Sequence, residues 1–275
     1  MATGEQVISQ KTSVFRIMLW SAMVGISGCS NNSSSDPQSR SSTLNPTPPT
    51  QSGAPSPSDM AVQLQGCSNI MPLGDSITIG VNGGYRNNLY TGLKQNKCGV
   101  SYVGNEFDQA TRVADKDHEG HSQFSIKRIG DSVDNWVTSN QPNIILLMIG
   151  TNDTAWWTTE SAYDIGVRHN ALIDQLRTLR PNAWIFVASI PPQTSLNIPP
   201  NNIDRAQLTQ QFNQVIRANV EARVAAGERV RFVDVNSVLT TAPADLYDGI
   251  HPTEEGHAKI ANKFLEAIRS ALVSP

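Results

Sequence analysis

Three short segments carry residues that could do covalent chemistry together. Gly74-Asp75-Ser76-Ile77 follows the apolar run Ile70-Met71-Pro72-Leu73, which puts a serine on the turn leaving a first strand. In open α/β folds the carboxyl ends of the strands build the sites. Gly150-Thr151-Asn152-Asp153 follows a second apolar run, and Asp248-Gly249-Ile250-His251-Pro252 stands near the C-terminus. A serine hydroxyl is a weak nucleophile at neutral pH; it needs a base within hydrogen-bond reach and a third group to orient that base. His251 is the natural base. Asp248 can fold back within one turn to hold the imidazole Nδ1–H and leave Nε2 facing Ser76. The Asn152 side-chain NH2 and the Ser76 backbone N–H are candidate donors to a developing oxyanion.

These residues need a scaffold, and the hydrophobic periodicity supplies one. Candidate strands are 69–73, 100–103, 143–149, 183–189 and 230–235. The run 143–149 is almost continuously apolar, as expected of a parallel strand covered on both faces. Between them, Ile126, Ile129, Val133 and Trp136 recur at helical spacing, as do Leu172, Leu176 and Leu179, and finally Ile260, Phe264, Ile268 and Leu272. Strand–helix alternation implies one parallel sheet between two helical layers. Thr253 reads as an N-cap, with Glu254 and Glu255 in the first turn of the last helix, where carboxylates suit the dipole. Two longer irregular stretches, 104–125 and 190–203, could line a cleft mouth.

The 275 residues carry a net charge of −3, and nothing in the composition suggests a nucleic-acid binder, which would normally show a basic face. Lys11 and Arg16 precede a short apolar segment, 17–28, too short to span a bilayer. It ends in Ile26-Ser27-Gly28-Cys29, which resembles the lipobox of bacterial lipoproteins. Residues 1–29 are therefore expected to be a lipoprotein signal, with Cys29 as the lipidation site and the membrane met through that anchor alone. Outer-membrane or cell-surface placement is the expectation, with plain secretion as the alternative. Residues 30–65, rich in Ser, Pro and Asn, cannot bury enough surface to fold and read as a tether. The folded body is expected over 66–275. Cys67 and Cys98 remain as an even pair in an exported chain, and each precedes a candidate strand, so a disulfide is expected between them.

The three segments, in this order, are those of the SGNH (GDSL-type) hydrolases, which this chain resembles over roughly residues 70–255. The resemblance implies a flavodoxin-like three-layer α/β/α sandwich with a central five-stranded parallel sheet, ester hydrolysis through an acyl-enzyme, and no cofactor or metal. Finer matches lie in Met71-Pro72-Leu73-Gly74-Asp75-Ser76, Gly83-Gly84-Tyr85-Arg86 and Glu119-Gly120-His121-Ser122. These are similar to carbohydrate esterase family 3, whose recognised members deacetylate xylan. That resemblance implies an acylated small molecule or an oligo- or polysaccharide as substrate. The family also expects a glycine whose backbone N–H completes the oxyanion hole. Here that position is Gln123, with Gly120 as a second candidate. A glutamine would be strained at positive φ, so the loop is expected to adjust while one of those N–H groups still points inward.

Several residues have two readings. Arg86 could touch substrate or bridge to a carboxylate. His121 belongs to the oxyanion loop or the cleft wall; His118 and His121 lack the helical context and third ligand of a metal site. Trp156 and Trp157 form a sugar-stacking wall or merely cover the sheet edge. Asp75 and Asp153 read as structural, and His169 and His257 as packing or surface residues. The expected function is a monomeric serine esterase that cleaves short acyl groups, acetyl first, from carbohydrate. A lipid-directed or broad-range esterase and a non-catalytic glycan binder are the competing readings.

Overall fold

A computed structural model describes residues 64, 66–109, 113–155, 158–198 and 202–273. In chain order, β1 (Ile70–Gly74), α1 (Ser76–Ile79) and α2 (Gly84–Gln95) are followed by β2 (Glu106–Phe107) and β3 (Asp117–Gly120). Then come α3 (Ile126–Gly130), α4 (Val133–Asn140), β4 (Ile144–Met148), α5 (Thr151–Ala155), α6 (Ala162–Leu179) and β5 (Trp184–Ala188). The hairpin β6 (Asn197–Ile198) and β7 (Ile203–Asp204) precedes α7 (Arg205–Ala225), β8 (Val230–Val233) and α8 (Glu254–Leu272).

The main sheet has the order β2-β3-β1-β4-β5-β8. Five strands are parallel and the short edge strand β2 runs antiparallel to β3. Side chains alternate between the two faces of a strand, and here both faces are covered. Ile144, Leu146 and Met148 enter one core with Leu89 and Leu93 of α2 and Ile260, Phe264 and Ile268 of α8. Ile145, Leu147 and Ile149 enter the other, with Ile129, Val137, Leu172, Leu176, Phe212 and Ile216 from α3, α4, α6 and α7. That explains the unbroken apolar run: a strand buried on both sides has no face to give to polar residues. The result is the α/β/α sandwich.

One strand differs from the sequence reading. Segment 100–103 makes a single bridge, Tyr102 to Ile70, and forms no strand. Ser101 and Val103 bond Ile70 on either side of that bridge, and the Tyr102 N–H, on the edge away from β1, is taken by the Asp115 carboxylate at 2.8 Å. The parallel neighbour of β1 is β3, with Leu73 beside Glu119 and Gly74 beside Gly120. Its sequence, Asp-His-Glu-Gly, shows no apolar alternation. It is tolerated inside because its polar groups are paired: Glu119 accepts from the Asn105 N–H at 2.8 Å and contacts the His121 ring at 2.7 Å.

Cys67 and Cys98 form a disulfide with Cα atoms 5.2 Å apart. Leu64, which composition assigns to the tether, is buried in the core cluster that contains both cysteines. Cys29, its leader and the tether before residue 64 lie outside the described residues.

Candidate active site

The exits of β1, β3 and β4 and the loop between β8 and α8 bring the candidate residues to the carboxyl edge of the sheet. Ser76 opens α1, a helix of four residues whose N-cap, Asp75, accepts the Ile77 N–H at 3.0 Å. The first N–H groups of a helix have no intrahelical acceptor, and no described residue accepts from the Ser76 N–H. Asp75 is buried, and burial pushes its carboxyl up to about 6. It shapes the turn that carries Ser76.

The His251 side chain comes from the loop between β8 and α8. Asp245 accepts the Thr253 N–H at 2.8 Å, and Leu246 bridges to Pro252, so the intervening residues form a closed loop. Within it Asp248 Oδ1 accepts the N–H groups of Ile250 and His251, at 3.0 and 2.7 Å. Asp248 Oδ2 lies 2.7 Å from His251 Nδ1, and His251 Nε2 lies 3.0 Å from Ser76 Oγ. Burial alone would raise the Asp248 carboxyl, but hydrogen bonds from the His251 backbone and ring and from the Ile250 N–H hold it below its ordinary value. It is thus ionised near neutral pH, able to fix the imidazole tautomer and to stabilise an imidazolium. Such a chain can move a proton off Ser76 as its oxygen attacks a carbonyl carbon.

The turn His121–Phe124 faces this group. The Phe124 N–H donates to the His121 carbonyl at 3.2 Å, and Gln123 at its third position has φ +63°. The loop has not adjusted: the glutamine occupies the left-handed conformation itself. No described residue accepts from its N–H. Gly120 is a different matter. Its N–H donates to His118 Nδ1 at 3.1 Å, so it is committed within β3. The glycine is required there because an added Cβ would stand 2.9 Å from the Ile79 nitrogen. Asn152 donates one amide N–H to the Phe124 carbonyl at 2.8 Å, tying β4 to that turn; its second N–H is uncommitted. Asn152 lines a separate open cavity of about 400 Å³ with Ser125 and Thr158. Asp153 fixes the same region from below, accepting the Ile126 N–H at 3.0 Å and an Arg168 N–H at 3.2 Å.

Two proposed substrate contacts are not in the cleft. Arg86 is fully buried; it donates to the carbonyls of Thr78 at 2.9 Å and Ile79 at 3.0 Å and pairs with Asp108. It braces the chain leaving α1, the reading in which it bridges to a carboxylate. His121 is sandwiched between Phe124 and Trp136, with centroids at 4.7 and 4.3 Å, and its Nε2 meets Glu119. It supports the turn from behind. Trp156 and Trp157 lie outside the described residues.

The cavity above Ser76 is about 210 Å³ and is lined by Ile79, Val81, Ser122, Tyr247, His251 and His257. Tyr247 and His257 are among those not singled out from sequence as cleft residues. Tyr247 is 56% exposed and its ring lies 5.8 Å from that of His251, nearly parallel to it. The signal was available: an aromatic directly preceding Asp248. His257 was read as packing or surface, and it is both buried and cavity-lining.

Comparison with known proteins identifies the family and the fold. The family model of the GDSL-like lipase/acylhydrolases matches residues 73–259. A solved Clostridium thermocellum family 3 carbohydrate esterase is 32% identical at a TM-score of 0.62, covering 74% of this chain and 99% of that one. A multidomain esterase of Ruminococcus flavefaciens is 31% identical over 237 residues, 75% of this chain but 29% of its own length. A protein of Acetivibrio thermocellus named as an endoglucanase X is 31% identical over 139 residues, half of this chain and 55% of that one. The matches thus span about half, or less, of those two curated relatives.

Proposed function

We propose, since this chain belongs to the GDSL-like lipase/acylhydrolase family and is a carboxylic ester hydrolase, that it removes acetyl groups from carbohydrate through a Ser76–His251–Asp248 triad. The observation that carries the reading is the continuous hydrogen-bonded chain from Ser76 Oγ to His251, 3.0 Å, and on to Asp248, 2.7 Å. His251 takes the Ser76 proton as Oγ bonds to the ester carbon. The negative charge on the former carbonyl oxygen is met by the N–H groups of Ser76 and Gln123 and by the second Asn152 N–H. Collapse of that adduct breaks the bond to the sugar oxygen, which leaves with the proton held on His251. Water, deprotonated by His251, then attacks the acyl-serine and restores Ser76.

A small acyl group is favoured by the roughly 210 Å³ of space above Ser76, walled by Ile79 and Val81. A sugar as the alcohol portion is favoured by likeness to a carbohydrate esterase. The test is a p-nitrophenyl ester series from acetate to laurate, with variants. Turnover is expected to peak at acetate. Ser76→Ala and His251→Ala should each cost at least about 10³-fold in kcat, and Asp248→Asn somewhat less. Near wild-type turnover in either alanine variant would overturn the triad. A peak at long chains would move the assignment to a lipid-directed esterase, and a folded protein inert at every length would be a glycan binder.

A further inference from the structure

A second cavity, about 220 Å³, adjoins the one above Ser76 and shares Val81 and His257 with it as common walls. Its lining includes Asn82 from the turn before α2, Asn88 from within α2, and Glu254, the first residue of α8. These three side chains are solvent-exposed and none has a partner among the described residues. Between the cavities stands His257, only 3% exposed. Its Nδ1 is sealed, and among the described residues neither Nδ1 nor Nε2 has a hydrogen-bond partner. Burial first, then the nearby Arg86 and His251, push this imidazole down to about 4, so it is neutral at physiological pH. A buried polar ring without a partner costs free energy, and here it opens on the two cavities. Asn82 holds φ +53°, a conformation asparagine tolerates better than most residues. It turns the chain over the rim of the second cavity.

The chemistry of this lining is specific. The carboxamides of Asn82 and Asn88, the Glu254 carboxylate and a neutral imidazole offer both donors and acceptors at close spacing, which suits the adjacent hydroxyls of a sugar ring. No lysine or arginine lines the cavity, and Glu254 carries negative charge, so phosphate and uronate groups are disfavoured. The volume admits one ring. Resting on the carbohydrate-esterase reading, we infer that this cavity is a subsite for a neutral sugar unit next to the acylated one. The enzyme then acts on oligomeric glycan, Val81 marking the ridge over which the chain passes and His257 the wall common to both rings.

The experiment compares kcat/KM for monoacetylated xylotriose with that for monoacetylated xylose, using the wild-type chain, Asn88→Ala/Glu254→Ala and Asn88→Trp. The first variant removes hydrogen-bonding groups and the second fills the space; all positions are exposed, so folding is not at risk. The wild-type protein should prefer the trisaccharide about tenfold, the worth of two or so added hydrogen bonds. Both variants should bring that ratio close to one, chiefly by raising KM for the trisaccharide. A wild-type ratio near one, or a ratio that both variants leave intact, would overturn the subsite. Hydrolysis of p-nitrophenyl acetate with neither acetylated sugar turned over would instead overturn the carbohydrate reading, and the subsite with it.

Discussion

Gln123 sits where a turn needs positive φ, and a glutamine pays for it in strain. Its φ of +63° is the left-handed region, which costs a residue with a Cβ about 1–2 kcal/mol. The backbone N–H is indifferent to the side chain, so the oxyanion donor proposed at this position does not depend on a glycine. Gln123→Gly should therefore raise stability by about 0.5–1 kcal/mol, the relief of strain less the extra entropy glycine loses on folding. Urea unfolding measures it. A loss of stability would mean that the glutamine side chain contributes contacts that outweigh its backbone strain. Arg86 teaches the complementary lesson. Its conspicuous place in Gly-Gly-Tyr-Arg suits either a ligand or a brace, and only its complete burial against Asp108 and the Thr78 and Ile79 carbonyls decides for the brace.

At the scale of elements, the site depends on pieces too short to be stable alone. Helix α1 has four residues and owes its place to the Asp75 cap and to the Arg86 bonds at its exit. The loop bearing Asp248 and His251 is held at its base by Thr253, which caps α8 through the Gly256 N–H at 3.1 Å and donates its N–H to Asp245. The disulfide staples the start of β1 to the end of α2, across a separation of 31 residues. A cross-link closing a loop of that length stabilises by about 3–4 kcal/mol in the chain-entropy description. Cys67→Ser/Cys98→Ser is expected to lose about that much in urea unfolding, with esterase activity retained at low temperature because neither cysteine touches the cleft. An unchanged midpoint would show that the bridge does not constrain the unfolded chain.

For the molecule as a whole, buried histidines set the acid limit. Burial pushes His118, His169 and His257 from an ordinary 6.5 down to about 4. Among the described residues His169 has no partner at either ring nitrogen, and His118 Nδ1 accepts an N–H, which only a neutral ring can do. The unfolded chain binds protons at these rings below pH 6.5 while the native state does not, so their contribution is present above 6.5 and lost as pH falls towards 4. Asp75, raised from 3.8 to about 6, works the other way: the native state holds its proton over much of that window. The balance is about two protons in favour of the unfolded chain. Stability should fall by roughly 2–3 kcal/mol per pH unit between about pH 6 and 4.5. His169→Leu should flatten that slope, and equal unfolding midpoints at pH 7 and 5 would contradict the account.

Much of this protein is legible in its residues. The order of Gly74-Asp75-Ser76, Gly150-Thr151-Asn152-Asp153 and Asp248-x-x-His251 identifies an ester hydrolase because a nucleophile, an amide donor and a base with its carboxylate are rare in company. The apolar runs at β1, β4 and β5 report a parallel sheet because burial on both faces leaves no other pattern. What the sequence could not reveal is pairing that depends on partners distant in the chain. Strand β3 is polar, and its place beside β1 follows from bonds to Asn105 and His121. Segment 100–103 looks like a strand, yet it meets β1 at Ile70 alone, and β3 takes the rest of that edge. Gln123 stands at the expected position with Gly120 as a second candidate; His118 claims the Gly120 N–H and leaves that of Gln123 open. The cavity that His257 shares with Asn88 and Glu254 exists only once α2 and α8 lie side by side, since no local pattern records which helices will meet.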